Sequence, residues 1–207
     1  KDDCEETWRG QRKFVSYGIN KVKATIKNKR IMSKEELNNE FDVAARVQSA
    51  FVKATKEKVE NHEALNDSEI ALLCPVAMKT TMTNNEVNKL GLSEHYSFVP
   101  TINVVNDLRA LGFDCVGAEQ VKARKKTTNG YQKHMLTFEN PKYKVEGAEE
   151  YPQLLLTNSH DGGNAFTLSA GIFRLICSNG LVIKTEDYGT SRLVHKGYSF
   201  EAVQELV

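Results

Sequence analysis

A chain of 207 residues, 40% hydrophobic and 27% charged, has enough apolar material for one substantial core without disulfide or metal staples. A formal net charge of +1 excludes the uniformly basic surface of a duplex-DNA coat, so any nucleic-acid contact must come from a local patch. Cys4, Cys74, Cys115 and Cys177 form no CxxC pair, which excludes a zinc ribbon and a thioredoxin-type motif, and no apolar run is long enough to cross a bilayer. With no secretory leader in view, the cysteines read as free thiols in a reducing compartment, and the expectation is a cytoplasmic protein without a membrane role.

Residues 1–64 lack proline, are rich in Lys, Glu and Asn, and read as a largely helical extension ahead of a second domain over 65–207. Ser33 and Glu36 make a capping-box pattern, and Val43, Val47, Ala50, Phe51 and Ala54 follow at helical spacing, which predicts a long one-sided helix. Within the extension, Lys21 to Arg30 alternates basic and apolar residues. This predicts a half-buried strand, either an edge protected by lysines or a phosphate-contacting surface.

From Leu65 the elements shorten. Asp67 or Ser68 caps a short helix ending near Cys74 and Pro75, and the polar run from Thr81 to Tyr96 reads as a loop. Thr101 is the predicted N-cap of a helix with Ile102, Val105, Leu108 and Leu111 on one face and Gly112 just beyond. Residues 113–138 read as a β-hairpin turning at Asn129-Gly130. Its arms carry Lys122, Arg124, Lys125, Lys126 and Lys133 with little acid, the densest basic cluster in the chain. The cluster is either a solubilising hairpin or a finger that tracks a phosphate backbone, with Tyr131 as a base-stacking group.

Gln153 to Thr157 is a short apolar strand, NSHDGGN a glycine-rich turn, and Ala165 to Ala170 another strand. Ile172, Phe173, Leu175 and Ile176 fit a buried helical face, so GIFRLICSNG is expected to coil into a short helix closed at Asn179-Gly180. Leu181–Ile183 and Arg192–Val194 read as short strands, and Ser199 caps a last helix that is still in full pattern at Val207, as in a truncated chain. The fold expected is α+β: a mixed, mainly antiparallel sheet with a β-hairpin and packed helices, plus the N-terminal extension.

The segments YSFVPTINVVNDLRALGF, YQKHMLTFEN, LLLTNSHDGGNAFTLSAGIFRLICSNGLVI and RLVHKG, in this order, resemble the domain of unknown function 932 family over about residues 65–207. The most specific pieces are NSHDG, GIFRLICSNGL and HKG. The resemblance implies a phage, prophage or plasmid setting, with roles in replication, recombination, transfer or evasion of host defence. It implies no catalytic residues.

Among the chemistry-bearing residues, His134, His160, Asp161 and His195 have the ligand types of a metal site, but no two are at helical ligand spacing. The alternative is that Asp161 organises a tight turn by accepting backbone N–H groups ahead of Gly162 and Gly163. Cys177 reads as inert core. Arg174, inside an apolar run, either pairs with a buried acid such as Asp161 or joins His195 and Lys196 around an anion. No P-loop, GxSxG or HExxH motif is present, so a nucleotide hydrolase is not expected, and no cofactor is implied.

The function expected is non-catalytic binding of nucleic acid, single-stranded DNA in preference to duplex, in the host-cell cytoplasm. The residues expected to carry it are Lys122, Arg124, Lys125, Lys126, Tyr131, Lys133, Arg174, His195 and Lys196. The alternatives are a protein-interaction module that inhibits a host defence or replication factor, and a metal-dependent enzyme. Oligomerisation is left open.

Overall fold

The computed structural model describes residues 34–123, 125–144, 152–177 and 181–193, together with 201 and 204. The stretch Lys21 to Arg30, Ser33, and nearly all of the final helix expected from Phe200 lie outside these residues. The chain forms two units, residues 1–51 and 52–207.

Helix α1, Lys34–Glu60, runs across that division. In the first unit its Phe41, Val43, Val47 and Phe51 are exposed. In the second unit it ends at Glu60 and is followed by His62 in the left-handed region at φ 54°.

Helix α2, Asp67–Leu73, is capped one residue earlier than the sequence suggests. Asn66 accepts from the backbone of Ser68 and Glu69, and Glu69 returns a bond to the Asn66 N–H at 2.8 Å. A 3₁₀ turn over Pro75–Met78 follows.

The polar run expected to be a loop holds a further helix, α3, Asn84–Leu90. Its start is a second capping box, Thr83 with Glu86, and Gly91 closes it at φ 67°. Helix α4, Thr101–Ala110, buries Thr101, Val104, Val105 and Leu108, the three- and four-residue spacing of one face. It ends in a Schellman motif: Phe113 N–H reaches Leu108 O at 3.0 Å and Gly112 N–H reaches Arg109 O at 3.0 Å, with Gly112 at φ 86°.

Five antiparallel strands form one meander in chain order: β1 Asp114–Gln120, β2 His134–Glu139, β3 Gln153–Asn158, β4 Phe166–Cys177 and β5 Leu181–Leu193. Together with the helices they make the α+β fold. GIFRLIC, expected to be helical, is the second half of β4, and Leu181 to Leu193 is one strand rather than two. The pairing of Phe173 with Lys184 and of Leu175 with Val182 gives this segment a backbone partner that an isolated helical turn would lack.

β1 and β2 pair as a hairpin, but the turn is not the two-residue Asn129-Gly130 type. Residues 121–133 intervene, with a 3₁₀ turn at Lys126–Thr128, so the basic residues lie on a long connection rather than on the strand arms.

The register stacks one face of the sheet into rows. Ala118, Leu136, Leu156 and Leu168 are consecutive cross-strand neighbours, and Cys115, Phe138, Leu154 and Ala170 form the next row. These residues join Ile70, Ala77, Val104, Val105 and Leu108 in a single core. The β1 bulge between Cys115 and Gly117 explains why Cys115 and Val116 are both buried despite being adjacent. Cys74 and Cys115 are free and buried, and burial pushes both thiols up to about 12.

The 65–78 segment is part of this core. Leu65 N–H bonds Cys115 O at 2.7 Å, Val76 N–H bonds Gln120 Oε1 at 3.2 Å, and Arg109 links Asp67 (2.6 Å) to Leu65 O (2.9 Å). At one end of the rows the buried Glu139 carboxylate accepts from Gln153 Nε2 (2.6 Å) and His62 Nδ1 (2.6 Å) through Oε1, and Lys144 Nζ makes an ion pair with Oε2 at 2.9 Å.

Candidate functional site

The other end of the rows is polar. Gln120, His134 and Asn158 are cross-strand neighbours with the parity of Ala118, Leu136 and Leu156, so the pleat turns all three toward the core. Thr101, the first residue of α4, lies against this row. The sequence predicts it as the helix cap, but Pro100 takes the cap position and the Thr101 hydroxyl turns inward, fully buried.

The donors and acceptors form an ordered chain. Gln132 O can only accept, so His134 Nδ1 carries the proton and donates to it at 3.0 Å. That leaves His134 Nε2 as an acceptor for the Thr101 hydroxyl at 2.7 Å, and Thr101 Oγ1 in turn accepts from Asn158 Nδ2 at 3.0 Å. Burial drives the His134 pKa down to about 4, against the opposing pull of the Gln132 carbonyl and the Asp161 charge. The imidazole is therefore neutral at physiological pH, with both nitrogens committed.

His160 packs its buried ring against His134, with centroids 5.0 Å apart, and against Phe98 at 4.7 Å. Its backbone N–H donates to Tyr131 O at 2.8 Å. Asp161 adopts the turn role: Oδ1 accepts the Gly163 N–H at 2.9 Å, while Ser159 Oγ accepts the Asn164 N–H at 3.0 Å. Gly162 sits at φ 73°, a conformation that favours glycine, and a Cβ there would lie 2.5 Å from Leu92 Cδ2, so the leucine tip would have to shift. Burial and the Asp161 charge push the Tyr96 hydroxyl up to about 12.

His134, His160 and Asp161 thus occupy one end of the sheet. Among the described residues no group of three or more His, Cys, Asp or Glu side chains is placed to hold a metal ion. His195, the fourth candidate ligand, lies outside the described residues, as do Lys196 and Arg124. Arg174 is placed on β4, paired with Ile183.

The connection 121–133 leaves the sheet at this same end. Lys122, Lys125, Lys126 and Lys133 are exposed, and no ion pair forms at Lys122, Lys125 or Lys133 among the described residues.

Tyr131 is half-buried and tied to its neighbours. Its hydroxyl donates to Glu86 Oε1, Lys79 Nζ meets the same oxygen at 2.8 Å, and that ammonium lies over the Tyr131 ring, 4.7 Å from its centroid. Glu86 Oε2 accepts the Thr83 N–H (2.7 Å) and hydroxyl (2.9 Å). Lys79, followed by Tyr131 and Thr83, holds the Glu86 carboxyl far below the usual carboxylate range. Burial and Glu86 push the Tyr131 hydroxyl up to about 12.

The sequence does not single out Thr101 and Asn158 as partners of His134, or Lys79 and Glu86 as partners of Tyr131. The Thr83 to Glu86 spacing is the one local signal of the second group.

No helix among the described residues is long and apolar enough to cross a membrane. No solved structure matches the chain. It is 36% identical over 105 residues to two proteins of Escherichia coli strain K12, UPF0380 protein YfjQ and UPF0380 protein YafZ. Each match covers 51% of this chain and 37% of the relative, so the chain spans little more than a third of those proteins' length. The family model described as domain of unknown function DUF932 matches residues 89–207, more than half of the chain, and the chain belongs to that family.

Proposed function

We propose that this is a non-catalytic nucleic-acid-binding protein, with single-stranded DNA preferred, serving a phage or plasmid in replication, recombination or transfer. The observation that carries the reading is the connection 121–133: Lys122, Arg124, Lys125, Lys126 and Lys133 without one acidic residue, in a chain whose net charge is only +1. Exposed lysines concentrated on one segment make a local phosphate-binding surface, and releasing the counterions of a bound strand supplies the driving force. The mobile-element setting is supported by the NSHDG and HKG resemblance.

Fluorescence anisotropy with a labelled single-stranded oligonucleotide at low salt tests this. Wild-type affinity should fall steeply with added salt and exceed that for duplex. Changing Lys122, Lys125, Lys126 and Lys133 to Glu should weaken binding by about tenfold or more and flatten the salt slope by about 0.7 for each phosphate no longer neutralised. Absence of binding at low salt, or binding indifferent to the four substitutions, overturns the proposal.

A further inference from the structure

Among the described residues, the connection 121–133 has no strand partner beyond the bond from Val121 N–H to Lys133 O at 2.9 Å, and a basic loop of that length would ordinarily sample many conformations. Tyr131 is where it is tied down. Its carbonyl accepts the His160 N–H from the NSHDGGN turn, and its hydroxyl reaches Glu86 on α3. Glu86 is fixed in turn by Lys79 and by both donors of Thr83. One carboxylate thus gathers the cap of α3, an ammonium and the tyrosine of the basic connection, and the same ammonium covers the tyrosine ring.

We infer that Lys79, Glu86 and Tyr131 form a latch that pre-organises the basic connection for a nucleic-acid strand, with Tyr131 acting as a positioning residue and not as a base-stacking platform. This rests on the nucleic-acid reading, which it deepens by naming what controls that surface. Lys79 and Glu86 precede the family match at residue 89, whereas Tyr131 and the lysines lie inside it, so residues ahead of the matched segment set the conformation of the connection. Holding the loop in its bound arrangement lowers the ordering cost of association without adding a contact to the ligand.

Tyr131→Phe and Tyr131→Leu separate the two roles, because the first keeps the ring and loses only the hydroxyl. A latch predicts that both variants weaken binding to a single-stranded oligonucleotide similarly, about fivefold, with the salt slope unchanged because every phosphate keeps its lysine. A stacking platform predicts that Tyr131→Phe binds like wild type and Tyr131→Leu alone is weakened, an outcome that overturns the inference.

Limited trypsin digestion reads the latch without any ligand. Cleavage after Lys122, Lys125 or Lys126 should accelerate several-fold in Tyr131→Phe and in Glu86→Gln, at unchanged far-UV circular dichroism. Unchanged cleavage overturns the latch whether or not the protein binds DNA. Faster cleavage in a protein that binds no oligonucleotide would instead overturn the nucleic-acid reading and the purpose assigned to the latch, while leaving its mechanics standing.

Discussion

Between pH 7 and pH 4 the folded protein is expected to lose about 3 kcal/mol of stability through His134 alone. Its pKa falls from the ordinary 6.5 to about 4 in the folded chain, chiefly because burial excludes the water that would solvate an imidazolium. The unfolded chain therefore takes up a proton as pH drops below 6.5, while the folded chain resists until about 4. The stabilisation is complete above the unfolded value and drains away as pH falls through that window, with no further loss from this residue below it.

Most of the window lies above the ordinary carboxylate value of 4.5, with overlap only at its lower edge. The contribution of Glu86, whose carboxyl is held low by Lys79 and Tyr131, disappears only at lower pH. Urea denaturation at several pH values measures the slope, and long-range nitrogen NMR reports the His134 tautomer directly. An imidazole that titrates near 6.5 in the folded protein would remove the argument.

Thr101→Val should cost about 3 kcal/mol, far more than a surface substitution of the same shape. The change is nearly isosteric, so packing survives. His134 Nε2, however, loses its donor and Asn158 Nδ2 loses its nearer acceptor, both in a fully buried setting. Each group stranded without a partner carries about 1–3 kcal/mol of desolvation. Thr101→Ser keeps the hydroxyl and should lose only about 1 kcal/mol with the methyl group. Equal stability of the two variants in urea melts would mean that the hydroxyl chain adds nothing.

The parts of the fold legible in the sequence are those where one period dominates. The α4 face and its Gly112 stop are readable because the three- and four-residue spacing and the C-terminal glycine agree. The failures have identifiable physical causes. GIFRLIC is apolar at every position but Gly171 and Arg174, so it satisfies both periods, and only its pairing with β5 makes it a strand. The α3 helix is polar almost throughout and so reads as loop, although Thr83, Glu86 and Gly91 mark both its ends. Asn129-Gly130 signals a tight hairpin, and Gly130 does take φ 90°, but the 3₁₀ turn and the Tyr131 anchor lengthen the connection.

The histidines are readable as candidates but their state is not. Whether His134 is a ligand or a core residue depends on Thr101, 33 positions away, and no local pattern encodes that partnership. Asp161 is the easier case, since an Asp two residues ahead of a glycine carries its own turn chemistry.

Each strand of the meander pairs with the strand made just before it, so the sheet can grow by additions between neighbours in sequence. The polar row is different, because it spans β1, β2 and β3 and takes its hydroxyl from a helix that precedes them all. Thr101 can find both partners only after β3 has docked, which places its contribution late in folding. In a stopped-flow experiment Thr101→Val should refold at close to the wild-type rate and unfold faster, so that the buried hydroxyl governs how long the native state lasts and has little part in how quickly it is reached.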